Sequence, residues 1–600
     1  MSNACEEPQD RPGIERAVAM QFMRYASGFW YGQTARRAWQ LTLGLAGCLF
    51  LKLLVDVATN YWNRWFFDAL ENKDASTAFL AFLVFLVLVA AAAAVGVGIV
   101  ITRERLQVRW RQWCTDRLLD GWLHNKCFYR LASSGSPIQN PEYRISDDIR
   151  MATEPLTDFA IMLFTAILAL ITFSSILWTV GGAFNVNVNG GTYHIPGFML
   201  LGAIIYGATM SAIIPIVGKN LSVAAARKNE AEAHFRYEMI RLRESAECVI
   251  MARGEQNAHE RLFRNYGNLV RTWLEVVRQH GLITWVTNSN GAMVPVAPLI
   301  LCAPKYLSGE LSLGQVMQLA SAFVQVQLAI GWLVDHYRAI AEWFASARRI
   351  TQLLDAYDST DTSTPAMTIE RCASDDQAIC LEKLQLVDQG GRIIVAHAEV
   401  RIEHGEKVRL IGEAGAGKTV LARAVCGLWQ WGHGRILLPE KATMSFIAET
   451  PFLPMGKLRE SLTYPASSDD WSNIKLLDAL DRAGVTHLGS QLDRYEHWDQ
   501  TLSASECQRL AIARLILQHP DMIIMEDALS TLDHASQTLL FNQIVKLNPR
   551  ATILLVSGPL SPAFVFDRTF VLNKSPGGSV LEEQKFNDLK IQERENSGHP

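Results

Sequence analysis

Six long apolar stretches in the first 335 residues of this 600-residue chain constrain its fold more than any other feature. They lie near residues 38–58, 77–102, 157–182, 196–217, 279–302 and 313–335. A helix of about 20 apolar residues crosses the ~30 Å hydrocarbon layer of a membrane, where the backbone must satisfy its own hydrogen bonds. The sequence therefore predicts an α-helical membrane domain with six spans.

The basic residues between these stretches predict their orientation. The connections after the second and the fourth stretch each carry seven arginines and lysines, between residues 103 and 130 and between residues 219 and 253. The opposite loops carry only Arg64, Lys73 and Lys305. Because cytosolic loops are enriched in Lys and Arg, we expect both termini, and everything after the last stretch, in the cytosol.

These two basic connections lack the composition of loops, and we interpret them as paired helical extensions of the membrane helices. A leg of about 25 residues at 1.5 Å per residue would project ~35 Å into the cytosol. We expect one tip at Asn140-Pro141, where Asn can cap a helix and Pro suits the first helical position. The other tip is expected near residues 232–243.

Composition excludes several classes of protein. Hydrophobic residues make up 49% of the chain and the net charge is −4, which suits a chain that is partly membrane-embedded and argues against a nucleic-acid partner. The ten cysteines form no Cys-x-x-Cys pair, so we expect neither a disulfide framework nor a metal site built from them. Residues 1–37 are polar and basic, which argues against a removable signal peptide.

A phosphate-binding loop occupies residues 412–419, which read GEAGAGKT between a strand-like run and an amphipathic helix. In this context the pattern predicts binding of ATP or GTP. Lys418 would reach the outer phosphates and Thr419 would hold Mg²⁺. The remaining loop residues would direct their backbone N–H groups at the phosphates, namely Gly412, Glu413, Ala414, Gly415, Ala416 and Gly417.

Three further motifs follow the phosphate loop. Residues 502–509 read LSASECQR, an apolar strand at 522–525 leads into Glu526 and Asp527, and STLD follows at 530–533. This order resembles the signature loop, Walker B strand and D-loop of ATP-binding-cassette (ABC) ATPases. The resemblance implies that three residues contact the nucleotide held by a partner subunit, so that a working site is dimeric: Ser503, Ser505 and Asp533.

The membrane half resembles a narrower family. The segments NPEYRISDDI at 140–149, EAHFRYEMIRLRESAECVIMARGE at 232–255 and PKYLSGELSLGQVMQLASAFVQVQ at 304–327 are similar to BacA/SbmA-like uptake permeases fused to an ABC ATPase. That group is related to the peroxisomal fatty-acyl-CoA half-transporters. The resemblance, which extends from about residue 20 to about residue 575, implies an exporter-type six-span membrane domain and an α/β P-loop nucleotide-binding domain. It also implies import of peptide, glycopeptide or cobalamin-like cargo across a bacterial inner membrane.

We divide the chain into five segments on this basis. The polar N-terminal segment covers residues 1–37, and the membrane domain with its helical extensions covers 38–354. Residues 355–378 are rich in Asp, Ser and Thr and are interpreted as a linker. The nucleotide-binding domain covers 379–575, and a polar tail covers 576–600.

The ATPase half departs from its family at four places. Glu526 stands at the position of the Mg²⁺-binding aspartate and Asp527 at that of the catalytic glutamate, the reverse of the usual order. Glu449 stands where the Q-loop glutamine is expected, and Ser505 where the second signature glycine is expected. Gly558 replaces the switch histidine.

Each departure is expected to weaken hydrolysis. Mg²⁺ requires near-octahedral oxygen ligands, so Glu526 places its carboxylate about one methylene too far out and Asp527 falls about one methylene short of the attacking water. Glu449 adds negative charge beside the γ-phosphate. Two alternatives stay open: Glu526 and Asp527 exchange roles after a small backbone shift, or the whole domain is a structural relic.

Polar residues inside the spans suggest two further roles. Gln315, Gln318 and Gln325 share one face of the sixth span, where they either line a path for hydrophilic cargo or join helices by hydrogen bonds. Asp56 is a candidate proton relay.

The sequence as a whole predicts an ABC half-transporter that contacts membrane lipid. By default it is a homodimer, with a heterodimer as the alternative. It would move a hydrophilic or amphipathic solute inward and bind ATP and Mg²⁺ with weak or no hydrolysis. The competing hypothesis is a proton-gradient-driven permease whose nucleotide domain is regulatory or structural.

Overall fold

The computed structural model describes residues 11–133, 138, 140–188, 191–362, 368–557 and 564–584. These residues form two compact units that divide between Thr360 and Asp361. The first unit is almost entirely helical, and the second combines a mixed β-sheet with flanking helices.

The first unit contains helices of very different lengths and one short β-hairpin. The short elements are α1 Arg11–Ala26, α2 Gly28–Tyr31, α5 Cys127–Ser133, α6 Pro141–Tyr143, α10 Ala246–Met251, α12 Ala297–Leu307, and the strands β1 Ala183–Val188 and β2 Gly191–Pro196. The long helices are α3 Ala35–Glu71, α4 Ala75–Leu123, α7 Ile149–Gly181, α8 Phe198–Gly218, α9 Leu221–Glu244, α11 Glu255–Met293 and α13 Leu313–Thr362.

Six helical segments among the described residues are long and apolar enough to cross a membrane. They are Ala35–Glu71, Ala75–Ser133, Pro141–Gly181, Phe198–Glu244, Glu255–Leu307 and Leu313–Trp332. Each corresponds to one of the apolar stretches in the sequence, so the predicted six-span membrane domain is confirmed.

Buried apolar side chains join these helices at two places. One cluster includes Phe22, Trp110, Leu118, Ile149 and Ile350, and the other includes Phe173, Leu177, Met199 and Phe323. Outside the clusters the spans stay largely exposed; in the most apolar window of Ala75–Ser133 only 6% of the residues are buried. Such apolar surface suits contact with lipid, because lipid tails are as apolar as leucine.

The reversal between α3 and α4 is held by Asp74. Its side chain accepts hydrogen bonds from the backbone N–H groups of Ser76 at 3.1 Å and Thr77 at 3.2 Å, and so caps α4. Hydrogen bonds from the Thr77 and Ser76 hydroxyls are the main reason that the pKa of Asp74 is lowered to about 2. The carboxylate therefore stays charged and keeps this cap at neutral pH.

The two basic connections are helical, as predicted, but only one turn lies where the sequence placed it. Asn140 precedes the helix that begins at Pro141, although its side chain makes no capping hydrogen bond and its φ is 50°. Residues 232–243 lie inside α9, and the chain turns later, through α10 and Gly254. No Gly or Pro interrupts residues 221–244, so α9 extends beyond the predicted turn.

The second unit contains a ten-stranded sheet in the order β3-β7-β4-β5-β14-β13-β6-β12-β11-β8. Its strands are β3 Glu370–Ser374, β4 Ile379–Val387, β5 Ile393–Ile402, β6 Lys407–Gly412, β7 Gly432–Pro439, β8 Met444–Ile447, β11 Met522–Glu526, β12 Thr552–Val556, β13 Arg568–Asn573 and β14 Ser579–Gln584. The pair β9 Gly456–Lys457 and β10 Tyr495–Glu496 forms a separate small sheet. The helices are α14 Lys418–Val425, α15 Leu458–Thr463, α16 Asn473–Arg482, α17 Trp498–Thr501, α18 Ala504–Gln518 and α19 His534–Leu547.

Four neighbouring strands at one end of this sheet position the candidate site. Strands β6, β12, β11 and β8 are parallel, and every residue of β11 and β12 is buried. Parallel strands buried on both faces read as continuous apolar runs, and ligands bind beyond their carboxyl ends. The loop after β6 and the acidic pair at the end of β11 therefore lie at the same edge of the sheet.

The elements at the predicted domain boundaries continue across them. Helix α13 extends to Thr362, and β3 lies inside the segment 355–378 that we interpreted as a linker. Strand β14 lies beyond residue 575 and pairs with β13 and β5. Its second half, from Glu582 to Gln584, is polar, and Glu582 and Glu583 are exposed, a composition that also suits a tail.

Candidate nucleotide site

The phosphate loop joins the end of β6 to the start of α14, as its motif requires. Gly417 stands at the helix N-terminus with a φ of 97°, a left-handed conformation that favours glycine. A Cβ atom there would also lie 2.8 Å from Ile394 Cγ2. The glycine is therefore required both for the turn and for close packing against β5.

The Lys418 side chain folds back over the loop. Its Nζ donates to the backbone carbonyl of Gly412 at 2.7 Å and to that of Glu413 at 3.1 Å. These contacts hold the ammonium at the mouth of the loop, where a phosphate group would compete for it as a charged acceptor.

The loop forms one wall of a cleft of about 940 Å³. Other walls come from residues 388–394 and 574–579, and the phosphate-loop side contributes Ala414, Gly415, Gly417, Lys418 and Thr419. The volume lies in the range of ligand sites, and a helix N-terminus with convergent N–H groups favours an anion. The cleft thus suits a nucleotide with its phosphates on the loop.

The structure separates the two acidic residues at the end of β11, because Glu526 is the last residue of the strand and Asp527 follows it. Asp527 lines the cleft together with Lys418 and Thr419, whereas Glu526 is only 9% exposed and is absent from the described lining. Asp527 has a φ of 44°, and its N–H donates to the carbonyl of Val556 at 2.9 Å. This backbone conformation turns the chain immediately after the buried strand. The Glu526 side chain therefore stays buried, and the Asp527 side chain lines the cleft.

The signature serine begins α18 as a reciprocal cap. Ser503 Oγ donates to Glu506 Oε2 at 2.7 Å, and the Glu506 N–H donates back to Ser503 Oγ at 3.3 Å. The hydrogen bond from the Ser503 hydroxyl is the main reason that the pKa of Glu506 is lowered. His487 Nε2 lies 2.9 Å from the other carboxylate oxygen, and Ser505 Oγ lies 3.4 Å from Ser503 Oγ.

The remaining predicted residues are placed apart from this cleft. Asp533 is exposed and caps α19, where it accepts from the Ser536 N–H at 3.0 Å. The side chain of Glu449 is exposed, and its backbone carbonyl is bound by Gln508. The position of the switch histidine, Gly558, lies outside the described residues. Ala504 stands at the position of the first signature glycine of the family.

The sequence prediction missed Gln508, which is fully buried in α18. Its Nε2 donates to the Glu449 carbonyl at 3.0 Å, and its Oε1 accepts from Thr531 Oγ1 at 2.7 Å. The available signal was an amide on the otherwise apolar buried face of a helix, where polar groups must find partners.

The polar residues of the membrane spans take several roles. Gln315 Oε1 accepts from the Ser312 N–H at 2.9 Å, so this amide caps α13 instead of lining a path. Gln318 is 0% exposed, and its side-chain atoms have no partner among the described residues. Asp56 accepts from Lys52 Nζ at 2.6 Å, so its charge is matched within one helix turn. Gln325 is half-buried.

Two family models match the chain in this order. The model described as ABC transporter transmembrane region 2 matches residues 31–307, and the model described as ABC transporter matches residues 395–530.

Several proteins are similar to most of this chain at low sequence identity. The inner membrane ABC transporter ATP-binding protein YddA of Escherichia coli is 24% identical over 90% of this chain and 95% of its own length. An uncharacterized ABC transporter ATP-binding protein of Synechocystis is 27% identical over 85% of this chain and 77% of its own. The lysosomal cobalamin transporter ABCD4 of Homo sapiens is 24% identical over 73% of this chain and 76% of its own.

Proposed function

The chain belongs to the ABC half-transporters that carry a membrane domain and an ATP-binding domain in one polypeptide, and we propose that it imports a hydrophilic or amphipathic solute across a bacterial inner membrane. It is a multi-pass membrane protein with six apolar helices among its described residues. We further propose that it binds Mg-ATP at a site poorly built for hydrolysis.

One observation carries the proposal on hydrolysis. The carboxylate that lines the cleft beside Lys418 and Thr419 belongs to Asp527, and the longer Glu526 is buried. A base that falls about one methylene short of its water loses rate steeply, on the order of 100-fold for ~1 Å. This arrangement favours the alternative in which Asp527 replaces Glu526 near the metal, which leaves the site without a carboxylate of full length for the water.

The donors in the cleft fit Mg²⁺ and a nucleotide. The Thr419 hydroxyl and the Asp527 carboxylate are oxygen ligands of the kind that Mg²⁺ prefers, and Lys418 and the loop N–H groups suit phosphates. Bound Mg²⁺ would neutralise phosphate charge. Glu449 stands where family members carry a neutral amide, and its side chain is exposed outside the described lining of the cleft. Its carboxylate would repel the transferring phosphoryl group on closing over the site.

Dimerisation is part of the proposal. Ser503 is exposed and is not among the described residues that line the cleft of its own chain. In the family the signature serine acts on a nucleotide held by a second subunit, so a second copy of this chain is the simplest partner. A heterodimer would supply complementary ATPase residues.

We also propose a class of cargo and a membrane orientation. The family resemblance suggests a peptide, a glycopeptide or a cobalamin-like molecule, and the human relative is named a lysosomal cobalamin transporter. Under the positive-inside rule, the two basic connections favour a cytosolic position for both termini.

The test is uptake by the full-length protein in proteoliposomes. Labelled cobalamin and a labelled antimicrobial peptide are offered separately, with internal or external Mg-ATP and with or without an inward proton gradient. ATP-dependent uptake that Lys418→Ala abolishes, and that Lys546→Met on the exposed face of α19 retains, supports the proposal. Uptake that survives Lys418→Ala and stops when the proton gradient collapses supports the gradient-driven permease instead.

A further inference from the structure

A second lysine lies on the phosphate loop. Lys574 directly follows β13, which pairs with β6 so that Leu572 lies opposite Gly412. This pairing carries the chain past the first half of the loop, and Lys574 Nζ donates to the backbone carbonyl of Ala414 at 2.6 Å. A Cβ atom on Gly415 would lie 3.7 Å from the same ammonium. Lys574 is thus held against the turn of the loop.

The ammonium groups of two lysines therefore bind three consecutive backbone carbonyls of the loop. Lys418 takes those of Gly412 and Glu413, and Lys574 takes that of Ala414. The described lining of the cleft contains one further cation, Arg392. Two carboxylates, Asp388 and Asp527, belong to the same described lining, so positive charge is concentrated at the two lysines that contact the loop.

The loop also contains an acid that opposes phosphate binding. Glu413 lies within the motif itself, and its carboxylate is 3.8 Å from Lys574 Nζ. The two side chains are 76% and 47% exposed, so their ion pair is weak by itself. The two charges matter more for a bound polyanion. Glu413 repels the phosphates, and Lys574 offsets that repulsion.

We propose that Lys574 is a second phosphate-binding cation of this cleft, and that it adapts a loop containing Glu413 to nucleoside di- and triphosphates. This inference rests on the proposed binding of nucleotide. The Lys574 ammonium donates to a neutral carbonyl in this structure, and a phosphate oxygen is a charged and therefore stronger acceptor. Lys574 needs only a side-chain rotation to exchange one for the other, since its backbone is anchored by β13 and β14.

The test is nucleotide affinity of the full-length protein in lipid nanodiscs. Fluorescent ATP is displaced by ATP, ADP or AMP in the wild type and in Lys574→Met, Lys574→Arg and Glu413→Gln. Lys546→Met serves as the matched control, because it removes the same charge from an exposed position on α19. Thermal melting of each variant is recorded in the same buffer.

The inference predicts a graded pattern. Lys574→Met should weaken ATP binding about fivefold to twentyfold and AMP binding less than twofold, and this loss should shrink at high salt. Lys574→Arg should retain most of the affinity. Glu413→Gln should tighten ATP binding, and in the double variant Glu413→Gln with Lys574→Met it should recover part of the loss.

Three results would overturn it. Lys574→Met binding ATP as tightly as Lys546→Met would exclude a phosphate contact. An equal loss for ATP and AMP, with a lower melting temperature, would make Lys574 only a brace of the loop. No recovery in the double variant would exclude the offset of Glu413. If instead the wild type binds no ATP, the proposed nucleotide binding itself fails.

Discussion

Gln508 Nε2 donates to the backbone carbonyl of Glu449 with 3.0 Å between the two atoms. The oxygen of the same amide accepts from the Thr531 hydroxyl at 2.7 Å. One fully buried side chain of the signature helix α18 therefore joins the segment at the Q-loop position to the D-loop. Both segments face the nucleotide or the partner subunit in the ABC family, so this amide links parts of the site that lie far apart in sequence.

Gln508→Leu should destabilise the ATP-binding domain. The substitution keeps the approximate volume but leaves the Glu449 carbonyl and the Thr531 hydroxyl without this partner, at a cost of about 1–3 kcal/mol. Urea unfolding of the detergent-solubilised protein, followed by fluorescence, measures the change. Gln500→Leu, on an exposed face of α17, should change the free energy of unfolding by less than about 0.5 kcal/mol. Equal effects of the two variants would contradict the linking role.

Lys418→Ala should abolish measurable binding of Mg-ATP. Charge-assisted hydrogen bonds contribute about 1.5–3 kcal/mol each, and every 1.4 kcal/mol is a factor of ten, so an affinity loss of about 100-fold or more is expected. Titration with a fluorescent nucleotide measures it, with Lys546→Met as the control. Unchanged affinity in Lys418→Ala would remove the phosphate loop from the binding site.

Restoring the family order of the two acids should raise ATP turnover. Asp527→Glu alone should raise it little, because Asp527 lies beside Thr419 where Mg²⁺ would bind, and a longer carboxylate there displaces the metal. The pair Glu526→Asp with Asp527→Glu restores the family order, and adding Gly558→His should raise the rate further, because the three groups act on one transition state. Phosphate release by the reconstituted protein measures turnover. A triple variant no faster than the wild type would show that another defect limits hydrolysis.

The signature cap should make stability depend on pH in the acid range. The folded-state pKa of Glu506 is lowered, first by the hydrogen bond from Ser503. Its contribution is therefore fully present above the unfolded pKa of about 4.3 and is lost as the pH falls through the lower folded value. Thermal melting at pH 7 and at pH 3 should show a smaller difference in Ser503→Ala than in the wild type. Thr538→Ala, at a half-buried helix position outside this cap, should melt with the wild-type pH dependence.

Lys305 should stabilise the junction between α12 and the end of α7 in the membrane domain. It is 8% exposed, and its Nζ donates to the Gly181 carbonyl at the end of α7 at 3.1 Å and lies over the Phe198 ring. A cation at a helix C-terminus is favourable, so Lys305→Met should cost about 1–2 kcal/mol, whereas Lys73→Met, in an exposed turn, should cost little. The melting temperature in detergent distinguishes the two. A smaller loss in Lys305→Met than in Lys73→Met would refute this role.

Local chemistry explains which parts of the protein were predictable. A span is defined by some 20 consecutive apolar residues, and the phosphate loop by glycines, Lys418 and Thr419 within eight residues, so neither requires knowledge of distant contacts. The sequence prediction places the turn after α9 too early. No Gly or Pro lies between residues 221 and 253, so no local pattern marks where the helix ends.

The sequence by itself determined the six membrane helices, the strand–loop–helix of the phosphate loop and the order of the ABC motifs. Only the tertiary structure decided that Asp527 and not Glu526 lines the cleft, because that choice depends on one backbone turn after a buried strand. It also brought Gln508 to Glu449 and Lys574 to Ala414, pairs that are 59 and 160 residues apart. Such contacts arise from strand order and helix packing, and no local pattern in the chain encodes them.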